Sequence, residues 1–379
     1  MGTGTISVLV ACFHFGAGSL PLKIISLIFF FLNLLFFTVF LAASIARYSM
    51  FPKLWKKMLL NPSEGLFVGA FPIGAASLID MALIINQNWG FKRKGFIFTL
   101  WGFWWIDLGI SFITAFGMIY TMMYTKHHFI AETTSVWVLP IIPLIVLSST
   151  GGNLSRALFQ HSRTLAVITV GFSLNAFVVG MSITLMVITL FLTRLIMYGP
   201  PKAPISPAGF IITSPLGQGG VSLLVNGGNL AQIFPTRDGD AFPGSILSGE
   251  MLYAVCLSGA WILWSMGIAW VVISLSEIHI TSRTAKIPFT LAYWALVFPN
   301  GVFALCSVQL GVALDSQFFH YFGAIWSIIV FILWLYCFIL TVTYTWDTSI
   351  FVEMRHQGPS PSLLAEILEP ANRPIKEAP

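Results

Sequence analysis

Six polar positions within the apolar runs stand out: Ser148-Ser149-Thr150, Arg156, Gln218 and Asn300. All are neutral donors or a cation. Hydroxyl, amide and guanidinium groups with no paired base suit holding an anion loosely, because a conducting site must release what it binds. Glycines beside them (Gly4, Gly151, Gly152, Gly217) allow close backbone approach, and interrupted helices turn N–H groups and positive N-terminal ends toward an anion. Two roles fit the hydroxyls at 148–150: donors to a path, or back-bonding to their own helix. Asn300 and Gln218 sit next to Pro299 and Gly217, where an unsatisfied polar group in hydrocarbon is costly, and are placed on the path. Arg156 closes Gly151-Gly152-Asn153 and fits an anion vestibule. Asp80 and Asp107 read as structural acids, with proton coupling left open for Asp80.

Nucleophilic and metal chemistry find no such footing. H-E-x-x-H and G-x-S-x-G are absent, and His14, His161, His279, His320 and His356 are scattered. His127-His128 are adjacent, which points their rings apart on a helix. Cys12, Cys256, Cys306 and Cys337 fall in apolar runs without metal spacing. The expectation is therefore no enzyme, no metal and no cofactor, and the donor types along the path suit small inorganic or carboxylate anions as the substrates.

The elements that must position these groups are membrane helices. Of 379 residues, 57% are hydrophobic and 9% charged, against about 25% charged in soluble domains. Mean hydropathy is +0.86. Apolar runs predict ten spans at 1–20, 22–46, 66–88, 95–124, 133–155, 164–197, 207–235, 249–275, 287–314 and 318–346. They are joined by breaks such as Phe51-Pro52, Asn61-Pro62, Gly199-Pro200-Pro201 and 236–240. One membrane domain (1–350) and a short polar cytosolic tail (351–379) follow. The net charge of +5 comes from bases clustered between apolar runs, which suits a lipid bilayer partner and no nucleic acid. With both termini inside, twelve of the 19 bases fall on the cytosolic side, although Lys92-Arg93-Lys94 does not. Met1 leads into an apolar run without the charged opening of a secretion signal. The lack of polar residues before the first span implies a native N-terminal tail outside this chain.

Proline and glycine organise the spans. The odd-numbered ones carry Pro72, Pro140 and Pro143, Pro215, and Pro299 in their middles, and the first carries Gly2-Thr3-Gly4; the even-numbered ones are almost free of proline. A mid-helix proline kinks a helix and frees a carbonyl, which membranes tolerate where it is buried in protein or lines a watery cavity. The alternation predicts an inner ring of kinked helices and an outer ring of straight ones. Phe298 and Phe71, each directly before its span's proline, are the candidate hydrophobic gates, with ordinary packing as the other role for such rings.

At Met1-Gly2-Thr3-Gly4, Pro140 to Gly152, Pro215-Leu216-Gly217-Gln218-Gly219 and Phe298-Pro299, the chain resembles the tellurite-resistance/dicarboxylate transporter family. That family includes plant slow-type guard-cell anion channels, bacterial tellurite-resistance proteins, and fungal malic acid and sulfite transporters. Trp137-Val138-Leu139-Pro140 before Ser149-Thr150-Gly151-Gly152, and Ser214-Pro215-Leu216-Gly217-Gln218-Gly219, are most similar to the fungal sulfite efflux branch. The resemblance implies ten helices as five hairpins around a pseudo-fivefold pore, with odd helices inner and even helices outer. It also implies a homotrimer with one pore per subunit and a plasma-membrane location. The substrate it implies is sulfite, with malate as the alternative and Phe298 as the residue that plugs the pore. The proline-free first span departs from the family pattern.

Overall fold

The computed structural model describes residues 1–61, 64–90, 93–125, 129–234 and 249–347. The expected tail at 351–379, the break at 236–240, Pro62, Lys92, Lys126, His127-His128 and Arg237 lie outside the described residues. Among the described residues every regular element is helical. Residues Met1–Leu335 form one compact unit; the described part of the second unit is the end of the last helix.

The described residues form eleven α-helices. Five are long and continuous: α2 (Leu20–Met50), α5 (Lys94–Thr125), α7 (Arg163–Tyr198), α9 (Gly249–Thr284) and α11 (Gln317–Trp346). Five are short: α1 (Gly2–Ala11), α4 (Ala70–Asn88), α6 (Ile142–Phe159), α8 (Thr213–Ile233) and α10 (Val297–Leu314). The remaining helix, α3 (Pro52–Leu60), exposes Lys53, Lys56 and Lys57 and half-buries Leu54, Met58 and Leu59. That two-sided pattern suits a helix lying in the membrane interface, and no span was expected there.

The boundaries have local causes. Ser162 caps α7, its Oγ accepting from the Leu165 N–H at 3.4 Å. Gly199, at φ 73°, ends that helix before Pro200-Pro201. Four of the short helices follow a 3-10 segment: Gly65–Gly69, Ser135–Val138, Ala203–Ile212 and Leu291–Leu296.

This corrects the expectation of mid-helix kinks. Pro72, Pro215 and Pro299 are the third residues of α4, α8 and α10, and Pro143 is the second of α6. Pro140 sits in the turn ahead of α6. Proline's missing N–H has no partner to lose in a first turn, so the prolines start α-helices here and do not bend them. Gly4 holds the equivalent third position of α1.

Among the described residues eight segments are long and apolar enough to cross a membrane, of the ten expected. The two that fall short are α1, a helix of 10 residues, and α6, which carries Ser148-Ser149-Thr150, Asn153 and Arg156. The first expected span, 1–20, is thus a short helix followed by a turn in which Gly16 and Gly18 take φ of 82° and 79°.

The short helices pack on one another in sequence: α1 on α4, α4 on α6, α6 on α8, α8 on α10, and α10 back on α1. Their contacts advance in the same direction. Gly69, just ahead of α4, meets Leu139, just ahead of α6, and Asp80 meets Thr150; Ser149 meets Gln218 and Gly152 meets Asn229; Gly217 meets Phe303 and Gly220 meets Cys306; Gly2 meets Val297 and Gly301 meets Thr5. The five therefore run parallel. Long helices bury tryptophans against them, with Trp104 Nε1 donating to the Leu147 carbonyl at 2.9 Å and Trp270 Nε1 to Gly209 at 3.1 Å.

Candidate functional site

One cavity of about 160 Å³ takes its walls from all five short helices. That is below the roughly 300–1,000 Å³ of pockets for drug-sized ligands and matches a small ion. Each helix contributes one stripe at helical spacing. From α1 come Thr5 and Val8, and from α4 Ile73, Ser77, Asp80, Ile84 and Gln87. From α6 come Val146, Ser149, Asn153 and Arg156. Gln218, Val221 and Val225 line it from α8, and Phe298, Val302, Leu305 and Gln309 from α10.

The cavity has two unlike ends. Toward the helix N-termini stand Phe298, Gln218 and Ser149. Phe298 is 8% exposed, in the first turn of α10. Gln218 Nε2 donates to Ser149 Oγ, and that hydroxyl donates to the Val146 carbonyl at 2.8 Å. Toward the C-termini lie Asp80, Asn153 and Arg156. Asp80 Oδ2 accepts from Thr150 Oγ1 at 2.7 Å, and Oδ1 accepts from Asn153 Nδ2 at 3.0 Å. Arg156 occupies the last turn of α6, where a cation complements the helix's negative end.

Of the residues singled out by sequence, Phe298, Ser149, Gln218 and Arg156 meet at this cavity, and Thr150 reaches it through Asp80. Others do not. Ser148 is fully buried and turns to α8, 2.6 Å from Ser222 Oγ. Asn300 donates from Nδ2 to the Leu296 carbonyl at 2.8 Å, which satisfies a group at the junction of 3-10 segment and helix. Phe71 is 40% exposed and stacks on Phe37 of α2 with centroids 5.6 Å apart. It faces away from the cavity because it sits two residues before Ile73 of the Ile73-Ser77-Asp80 stripe, roughly on the opposite side of the helix. Gly4 and Gly217 serve helix packing: a Cβ on Gly217 would lie 2.7 Å from the Phe303 backbone. Pro72, Pro140, Pro143, Pro215 and Pro299 shape the helix starts and contribute no side chain to the walls.

Sequence reasoning passed over Asp80 as a wall residue, and over Ser77, Asn153, Gln87 and Gln309 altogether. Part of their signal was present: Ser77, Asp80 and Gln87 on α4, and Ser149, Asn153 and Arg156 on α6, recur at intervals of three, four or seven residues and so share one face. Asp107 on α5 and Glu277 on α9 are buried acids that line no part of the cavity.

Apolar helices that expose their flanks, around a small polar cavity built from interrupted ones, define an integral membrane protein organised for moving small solutes. The chain belongs to the voltage-dependent anion channel (SLAC1) family, whose model matches residues 1–342. The resemblance drawn from the order of its motifs is borne out. A sulfite efflux pump of Trichophyton rubrum is 32% identical over 345 residues, covering 90% of this chain and 88% of that protein. A malic acid transport protein of Schizosaccharomyces pombe is 24% identical over 347 residues, covering 90% and 76%. An uncharacterized transporter of Methanocaldococcus jannaschii is 26% identical over 362 residues, covering 93% and 94%.

Proposed function

We propose that this chain exports sulfite across the plasma membrane, along a path enclosed by the five short helices and occluded at Phe298. The observation that carries the reading is a cavity to which all five helices present one face, with Phe298 in its wall. Sulfite is taken from the efflux pumps among the relatives. On this reading the α1–α2, α4–α5, α6–α7, α8–α9 and α10–α11 pairs are five hairpins about a pseudo-fivefold axis, with short helices inside and long ones outside. Residues 1–350 transport, and 351–379 form a cytosolic tail. Both termini face the cytosol, as the bias of basic residues supports, and the working unit is a homotrimer on the family resemblance. The protein moves its substrate without chemistry and without a cofactor.

The malic acid transport protein among the relatives favours a second reading, in which the substrate is a C4-dicarboxylate. Reconstituted vesicles loaded with labelled sulfite separate the two, with malate as competitor and with or without a pH gradient. Sulfite efflux that malate leaves untouched is expected. Efflux abolished by equimolar malate moves the assignment to dicarboxylates, and no protein-dependent flux of either anion overturns both.

A further inference from the structure

We propose that Asp80 and Thr150 form a reversible proton-binding pair, and that an anion enters the cavity only when Asp80 is protonated. The proposal rests on the transport reading above and names a control of that same site.

An ionised carboxylate in the wall of a small, low-dielectric anion cavity repels what the cavity is built to admit. The hydrogen bonds around Asp80 show how the charge is removed. Thr150 Oγ1 lies 2.7 Å from Asp80 Oδ2 and also 3.2 Å from the Val146 carbonyl oxygen. A hydroxyl has one proton to give and lone pairs to accept with. With Asp80 ionised, the Thr150 proton points to Oδ2. With Asp80 protonated, Oδ2–H donates to Thr150 Oγ1, and the threonine's own proton turns to the Val146 carbonyl. Asn153 Nδ2 donates to Oδ1 in both states, at 3.0 Å. One O–H bond forms or breaks, the proton coming from or going to water in the cavity. No polar atom of the trio loses its partner in either state, so neither form bears the cost of a buried unsatisfied group.

No other group of the described walls takes this part. The remaining ionisable side chains on the cavity are Cys12, at the end of α1, and Arg156. The walls from α8 and α10 hold none. On the long helices packed against α4, Lys23 and Arg47 lie near the ends of α2, while α5 carries Lys94 and Asp107. None of these donates a hydrogen bond to Asp80, whose partners are Thr150 and Asn153. With the proton on, the charge left on the cavity wall is Arg156, which attracts an anion.

The sign follows directly. Protonation is favoured as pH falls, so flux rises on acidification. The test measures nitrate flux in vesicles, since nitrate stays ionised across the acid-to-neutral range, and repeats it with sulfite. Wild-type flux should climb as pH falls, and Asp80→Asn, which keeps the shape but holds no exchangeable carboxyl proton, should lose that dependence. An Asp80→Asn protein with the wild-type pH slope overturns the proposal, as does wild-type flux that is flat with pH; in both cases transport itself stands. No flux of either anion overturns the transport reading and the gating with it. Infrared titration of the purified protein is independent of transport. It should show a carboxyl C=O band that appears on acidification and is missing from Asp80→Asn, and the lack of such a difference band overturns the proton-binding pair.

Discussion

The short helices and the long helix α5 use the same small residue for opposite ends, whereas Gly180, Gly267 and Gly323 of the other long helices are packed closely against the short ones. On the short helices, a Cβ added to Gly217 would strike the backbone of Phe303, and one added to Gly301 would strike Thr5. On the long helix α5, a Cβ on Gly102, Gly109 or Gly117 would meet nothing within 4 Å. Burial divides the same way. In the apolar stretch that includes α8, 94% of residues are buried, against 11% in α2. Inside a bilayer, lipid and leucine are equally apolar, so helices associate through close packing and polar contacts and gain little from hydrophobic exclusion. The difference teaches where the specificity of this chain resides: in short helices brought near enough to share a cavity, held by long ones whose outer faces need only be apolar.

The largest test of that contrast is Gly217→Val. Backbone atoms at 2.7 Å have no rotamer to yield, so the substitution should cost about 3 kcal/mol or more, read as loss of the monodisperse folded protein in detergent. A well-folded variant with wild-type thermal stability would remove close packing as the reason for glycine there. Next is Phe298→Ala. Removing the ring from the cavity wall should raise anion flux roughly tenfold, which corresponds to about 1.4 kcal/mol of barrier. Unchanged flux through a folded variant would mean that the ring merely packs. Gln218→Leu should act more gently in the other direction. It removes an amide that lines the cavity and donates to Ser149, and replaces it with a side chain of similar volume, so flux should fall about fivefold, near 1 kcal/mol. Normal flux would take Gln218 off the path.

These contrasts were partly legible before any coordinates. The alternation of proline with proline-free spans separated the two classes of helix, because a residue without an N–H interrupts the hydrogen-bond ladder of a straight helix and is tolerated at membrane depth where protein or a cavity surrounds it. What the prolines do there was misread. A kink and a helix start both follow from the same missing N–H, and only the 3-10 segments ahead of α4, α8 and α10 distinguish them. Phe298 was identified because proline and aromatic neighbour each other, but the same rule chose Phe71, which stacks on α2. Facing depends on helical phase, and phase is fixed by the register of the first turn, which sequence leaves uncertain by a residue or two. Asp80 was set aside for the same reason: without the phase of α4, a carboxylate near a span end looks like any interfacial charge. Of the ten expected spans, α1 and α6 are the two that length and apolarity do not single out, because they are short or polar where they meet the cavity.

The smallest effect belongs to the outer glycines. If α5 tolerates glycine only because nothing presses on that face, then Gly117→Ala gains helix propensity and reduces the freedom of the unfolded chain, stabilising the protein by roughly 0.5–1 kcal/mol. Thermal unfolding in detergent should show a small upward shift, and anion flux should stay at the wild-type level, since α5 gives no residue to the cavity wall. A downward shift in a well-behaved monomer would mean that this helix is packed more tightly than its open glycine suggests. A downward shift confined to the assembled oligomer would place Gly117 at a contact between subunits. Either result breaks the division between the two classes of helix at the point where it is weakest, because α5 also buries Trp104 against α6 and so has one face of each kind.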